Sequence, residues 1–148
     1  MPWWKFWEGG LTRTREKPDY YEEGVQLAAQ ERFHEALTSF RLALRERPGD
    51  AAALERMATV YTRMGMTDEA IKMYRRALAA RPASAASHYG IAFLLLNRGA
   101  EVEAAEHLRA FLREGPKSGG SEEHLRHARE TLEQLGGLPA GEPSRDDG

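Results

Sequence analysis

The chain has no cysteine, so disulfides, thiolate metal sites and cysteine nucleophiles are all excluded. It has no apolar run approaching the roughly 18 residues of a membrane span. It also has no excess of positive charge. The net charge is −2 and the sequence pI is near 6.2, whereas general binders of nucleic acid or anionic membrane are normally basic. No phosphate-cradling loop, nucleophile elbow or zinc-protease helix motif occurs. No catalytic residue, metal or cofactor is therefore expected, and the protein reads as a non-enzyme. The first residues lack an h-region and a small-residue cleavage site, which argues against a secretory leader. Lack of cysteine suits a reducing compartment, and a cytoplasmic location is the expectation.

What is present is ordinary for a globular chain: 41% hydrophobic and 30% charged residues over 148 positions, enough for one compact domain with short tails. Arginine outnumbers lysine and alanine is abundant, the usage of a GC-rich, bacterial genome.

The ordering signal is a repeat. Pro48, Pro82 and Pro116 recur every 34 residues, as do Ala36, Ala70 and Ala104, and Phe40, Tyr74 and Leu108. A unit of that length cannot bury its own apolar face, and stacking such units gives a helical solenoid. Within each unit the apolar residues fall at spacings of three and four on two successive stretches. The units run 17–50, 51–84 and 85–118. Gly65 and Gly99 supply turns tolerant of positive φ, and Thr67 or Asp68 is placed to cap the helix that follows. Beyond Gly119-Gly120, Ser121 is placed to cap a last amphipathic helix over 121–135, with Leu125, Ala128, Leu132 and Leu135 as its apolar stripe. Residues 136–148 are rich in Gly, Pro and Asp and are expected to be disordered.

With small residues at Gly24, Ala58 and Ala92 and at Ala36, Ala70 and Ala104, and bulky ones at Leu27, Tyr61 and Leu95, the chain resembles the tetratricopeptide repeat family. The expected fold is all-α: a right-handed α-solenoid of three helix-turn-helix hairpins over 18–135, closed by the C-terminal capping helix. Three departures stand out. Glu31 replaces the turn glycine, so the first turn is expected to need another geometry. Phe111 replaces a small residue and is expected to fill a wider gap against the capping helix. Glu101 occupies a turn site that Phe33 fills with an aromatic.

The resemblance implies that the first helices line a concave groove for a protein or peptide partner, making the chain an adaptor or scaffold. Carried over by position, the groove residues are Tyr21 and Val25, then Arg56, Thr59 and Arg63, then Tyr89, Phe93, Leu96 and Asn97. Arg56 and Arg63, seven residues apart, are expected to point the same way. Aromatics would anchor a ligand and arginines would orient an acidic group. The competing reading for Phe93 and Leu96 is packing against a neighbouring element, and for the arginines a solvated face. The basic clamp of chaperone-tail binders is missing, since its places hold Tyr21, Val25, Arg56, Ala86 and Gly90. An RNA-reading array is disfavoured by the negative charge.

Two further features need a reading. Trp3, Trp4, Phe6 and Trp7 crowd the aromatic and basic segment 1–17. They read as a cap on the first repeat or a partner contact, with a weak membrane-interface contact through residues 3–7, at the inner face of a membrane, as the alternative. Self-association is a third reading, because the first helix pair has little to cover it. Of the histidines, His124 and His127 read as solvated surface residues and His88 as a packing or surface residue.

Overall fold

The computed structural model describes residues 17–136, and the Trp-rich segment and the 137–148 tail lie outside the described residues. It contains seven helices and no strand among those residues: α1 (Tyr20–Ala29), α2 (Phe33–Glu46), α3 (Ala51–Arg63), α4 (Thr67–Ala80), α5 (Ala85–Asn97), α6 (Glu101–Glu114) and α7 (Glu122–Gln134). They pair as hairpins α1/α2, α3/α4 and α5/α6, stacked in order, with α7 against α6. No described helix is long and apolar enough to cross a membrane.

The two helices of each hairpin begin in different ways. Each first helix, and α7, has a side-chain cap: Asp19 accepts from the Glu22 amide, Asp50 from Ala52 and Ala53, Ser84 from Ser87, and Ser121 from His124. The second helices have none. Their N-cap residues are Arg32, Met66 and Ala100, and Thr67 lies inside α4 rather than capping it. These helices spring directly from the turn that ends the first helix. There the amides of Arg32, Met66 and Ala100 reach back to the Leu27, Tyr61 and Leu95 carbonyls, each at 2.9 Å. The preceding residue sits at positive φ: 61° at Glu31, 75° at Gly65 and 74° at Gly99. This is a Schellman turn in all three repeats. The expectation of a different first turn is thus corrected. Glu31 adopts the glycine conformation, and its carboxylate then accepts from Arg63 at 2.8 Å.

The larger core cluster runs through all three hairpins, from Ala36 and Phe40 through Leu54, Met57 and Tyr74 to Ile91 and Leu95. A second cluster joins α5 and α6 to α7 through Ala92, Leu108, Phe111, Leu125 and Ala128. Phe111, 3% exposed, fills the space that the larger side chain at this repeat position was expected to fill. Small residues set the closest approaches. A Cβ at Gly24 would lie 2.7 Å from the Phe40 ring, and one at Gly90 would lie 2.4 Å from the Tyr74 ring. Glu23 is exposed where repeats two and three bury Met57 and Ile91, so the outer face of α1 carries a charge where the interior repeats carry apolar packing.

Candidate partner-binding groove

The first helices α1, α3 and α5 touch one another in turn along one side of the stack and form the wall of a groove. Its composition follows from three repeat positions. The first holds Tyr21, Glu55 and Tyr89, the second Val25, Thr59 and Phe93, and the third Glu22, Arg56 and Gly90. The same scaffold position therefore offers different chemistry in each repeat.

At the first end, Tyr21 packs edge-on to Phe40 with centroids 6.0 Å apart, and its hydroxyl accepts from Arg56 Nε at 3.3 Å. Val25 is half-buried and packs on the main core. Arg63 turns away from Arg56 in its engagement. It pairs with Glu31, donates to the Ala28 carbonyl at 3.4 Å and lies 4.9 Å over the Phe33 ring. The expected pair of groove arginines is thus one arginine tied to the groove tyrosine and one tied to the first turn.

In the middle, Glu55 is spoken for. It accepts from the Ser84 and Ser87 hydroxyls, the latter at 2.7 Å. Ser84 caps α5 and Ser87 is fully buried. The carboxylate thereby sits at the positive end of α5, where the helix dipole favours it. Thr59 donates to the Glu55 carbonyl and lies 3.5 Å from the Tyr74 hydroxyl. Burial pushes the Tyr74 hydroxyl pKa up, so it stays a neutral donor.

At the last end, Tyr89 and Phe93 pack with centroids 4.9 Å apart, and Tyr89 packs equally closely on Phe111. Both are half-buried. Two histidines of α7 complete the cluster: His127 stacks on Phe93 at 4.7 Å, nearly parallel, and His124 meets Tyr89 edge-on at 4.9 Å. The Tyr89 hydroxyl lies 2.8 Å from His127 Nδ1. Burial raises the Tyr89 pKa and the nearby Glu123 adds to it, so Tyr89 is a donor to His127 at neutral pH. His124 and His127 are exposed, yet they are fixed against the groove aromatics rather than simply solvated. Leu96 packs on the main core, and Asn97 is exposed at the end of α5.

Between repeats two and three the groove deepens into a pocket of about 720 Å³. Its walls include Tyr74, Tyr89, Gly90 and Phe111, and its rim includes Glu55, Arg81, Ala86, Gly119 and His124. Of these, only Tyr89 belongs to the set expected from the sequence. Gly90 was legible as a signal, because it replaces the Glu22 and Arg56 of the earlier repeats. Tyr74, Arg81 and the two histidines were not, because they reach the pocket from elements outside the first helices.

Away from the groove, His88 and His107 join α5 to α6. His88 Nε2 lies 2.8 Å from the Pro82 carbonyl and the two Nδ1 atoms are 3.0 Å apart. A neutral pair fits one arrangement: His88 donates through Nε2 and accepts at Nδ1 from His107 Nδ1–H. Burial, then the neighbouring His88, lowers the His107 pKa below the ordinary histidine value; Glu103 and Glu106 pull it upward and Arg75 downward. The unfolded chain therefore binds the proton more readily. The stability that this histidine contributes is complete above about pH 6.5 and is lost as the pH falls below that through the folded value. We expect the melting temperature of the wild type to fall more between about pH 7 and pH 5 than that of His107→Gln. Parallel profiles in thermal melts would contradict this. No group of three or more metal-ligating side chains occurs among the described residues.

The described residues thus define an α-solenoid of helical hairpins with an aromatic-ended groove. Residues 20–83 and 55–119 each match a tetratricopeptide repeat family model, and the chain belongs to the tetratricopeptide repeat family. Among solved structures it is similar to the type III secretion chaperone SycD of Yersinia enterocolitica in complex with a peptide of the translocator YopD, at 17% identity over 79% of this chain and 89% of that one, TM-score 0.73. It is similar to the Sgt2 TPR domain from Aspergillus fumigatus at 17% identity over 87% and 88%, TM-score 0.70. The TPR domain of P58(IPK) is 25% identical over 80% of this chain, TM-score 0.73, but the match spans only 32% of that chain. No match is found among curated proteins.

Proposed function

We propose that the chain is a non-enzymatic adaptor that receives a segment of a partner protein along α1, α3 and α5. The observation that carries this reading is the pocket between repeats two and three. It is lined by half-exposed tyrosine, by Gly90 and by the exposed Ala86, a surface that costs apolar exposure and contributes nothing to stacking. Repeat arrays use such concave faces for binding, and the similar chaperone SycD was solved with a peptide of its translocator. Tyr21, Val25, Arg56, Thr59, Tyr89 and Phe93 then act as the groove surface, with Arg63, Leu96 and Asn97 at its margins. The roles of Trp3, Trp4, Phe6 and Trp7 lie outside the described residues.

Phe93→Ala or Tyr89→Ala would strip packing from α7 as well as from the groove, which makes either a poor test. Ala86→Trp fills the pocket from an exposed position instead. It is expected to weaken partner capture about tenfold without lowering the melting temperature. Photo-crosslinkers at Thr59 and Ala86 should label the same partner, while one at Lys72, exposed on α4, should not. Labelling from Lys72 alone would refute the groove as the binding face.

A further inference from the structure

The acidic groups around the groove are largely committed within the fold. Asp50 is consumed as the α3 cap, Glu55 accepts two serines, and Glu46 pairs with Lys17 at 2.7 Å. The basic groups on the loop rim are not committed. Among the described residues no carboxylate pairs with Arg47 or Arg81. These two are the C-cap residues of α2 and α4, one repeat apart, and both are exposed. They border one shallow depression of about 380 Å³ between the two inter-repeat loops, and Arg81 also borders the deeper pocket. The opposite, α7, edge of that pocket has Glu123 close to Tyr89. The pocket therefore has a cationic side and an anionic side with an apolar floor between them.

We propose that the site takes a partner segment in which an apolar side chain is followed by carboxylates. The apolar side chain enters over Gly90, between Tyr74 and Tyr89, and the carboxylates lie across Arg81 and Arg47. Glu123 disfavours the reverse direction, because it would face the acidic end of the segment. The proposal rests on the groove reading above and adds the ligand chemistry and its direction. Arg47 and Arg81 belong to inter-repeat loops, so this rim is separate from the first-helix places whose basic residues are missing here.

The test is an amide NMR titration of the full chain with short Gly/Ser peptides. One carries a leucine followed by two aspartates, a second replaces the aspartates by lysines, and a third replaces the leucine by glycine. The first peptide is expected to shift Tyr89, Gly90 and Gly119 and to bind about tenfold more tightly than either other. Arg81→Gln, a change at an exposed cap residue, is expected to remove that preference over the lysine peptide while leaving the leucine preference. Equal binding of the aspartate and lysine peptides would overturn the acidic assignment and leave the groove reading standing. Shifts confined to the outer faces of α2, α4 and α6 would overturn both, and no binding of the first peptide would overturn the proposal. Partner crosslinking from Thr59 and Ala86 reports on the groove reading independently.

Discussion

Phe40→Ala is expected to cost about 3–5 kcal/mol, the range for emptying a fully buried aromatic site, because Phe40 is 0% exposed and central to the main core. Gly24→Ala should cost about 1–3 kcal/mol by the opposite route, overpacking. Its new Cβ would stand 2.7 Å from Phe40 Cε1, with the other ring atoms close behind. The ring is held on all sides and has little room to yield. The repeat itself supplies the remedy. Repeat three has Ala92 where repeat one has Gly24, and Leu108 where it has Phe40, and both Ala92 and Leu108 are fully buried there. Adding Phe40→Leu to Gly24→Ala rebuilds that pairing, so the double variant should be more stable than Gly24→Ala alone. Urea unfolding of the four proteins closes the cycle. If Gly24→Ala matches the wild type, the close approach does not constrain the hairpin.

The same likeness between repeats makes most of the fold legible in the amino-acid sequence. The hairpins are legible because proline, small residue and large residue each return at one spacing, and only stacked helices satisfy all three. The capping helix is legible from Ser121 and one apolar stripe, and α7 begins at that serine. Local rules fail where neighbouring geometry overrides them. Glu31 takes a positive φ because the Schellman turn between α1 and α2 demands it, whatever residue stands there. Thr67 does not cap because that turn already supplies the bonds.

The groove is half legible for a related reason. First-helix positions identify Tyr21, Arg56, Tyr89 and Phe93, but periodicity within a helix is silent about what reaches across from another. His127 meets Phe93 from 34 positions away in sequence, and Tyr74 reaches Gly90 from the preceding hairpin. Arg63 has the spacing of a groove residue, yet its charge is paired with Glu31. Position defines the wall, while long-range packing decides which wall residues remain available.

Ser87→Ala is expected to lower stability by about 1.5–3 kcal/mol, the cost typical of losing a hydrogen bond to a charged group. Ser87 is fully buried and donates to Glu55 from the next hairpin, while Ser84 donates to the same oxygen. Removing one donor leaves the half-buried carboxylate with a weaker share of protein hydrogen bonds where water enters poorly. Because the bond joins α3 to α5, the loss falls on one inter-repeat interface, and in a stacked array each unit is stabilised chiefly by its neighbours. Amide exchange should therefore accelerate in α5, α6 and α7 more than in α1 and α2. Glu55→Gln, which keeps an acceptor without the charge, should cost less. A uniform rise in exchange, or a change under about 0.5 kcal/mol, would mean that packing alone holds the third hairpin. The variant also bears on ligand choice. A Glu55 carboxylate released from its serines would face the pocket as an uncompensated negative charge, and the preference for a leucine–aspartate segment should fall while Arg81 remains in place.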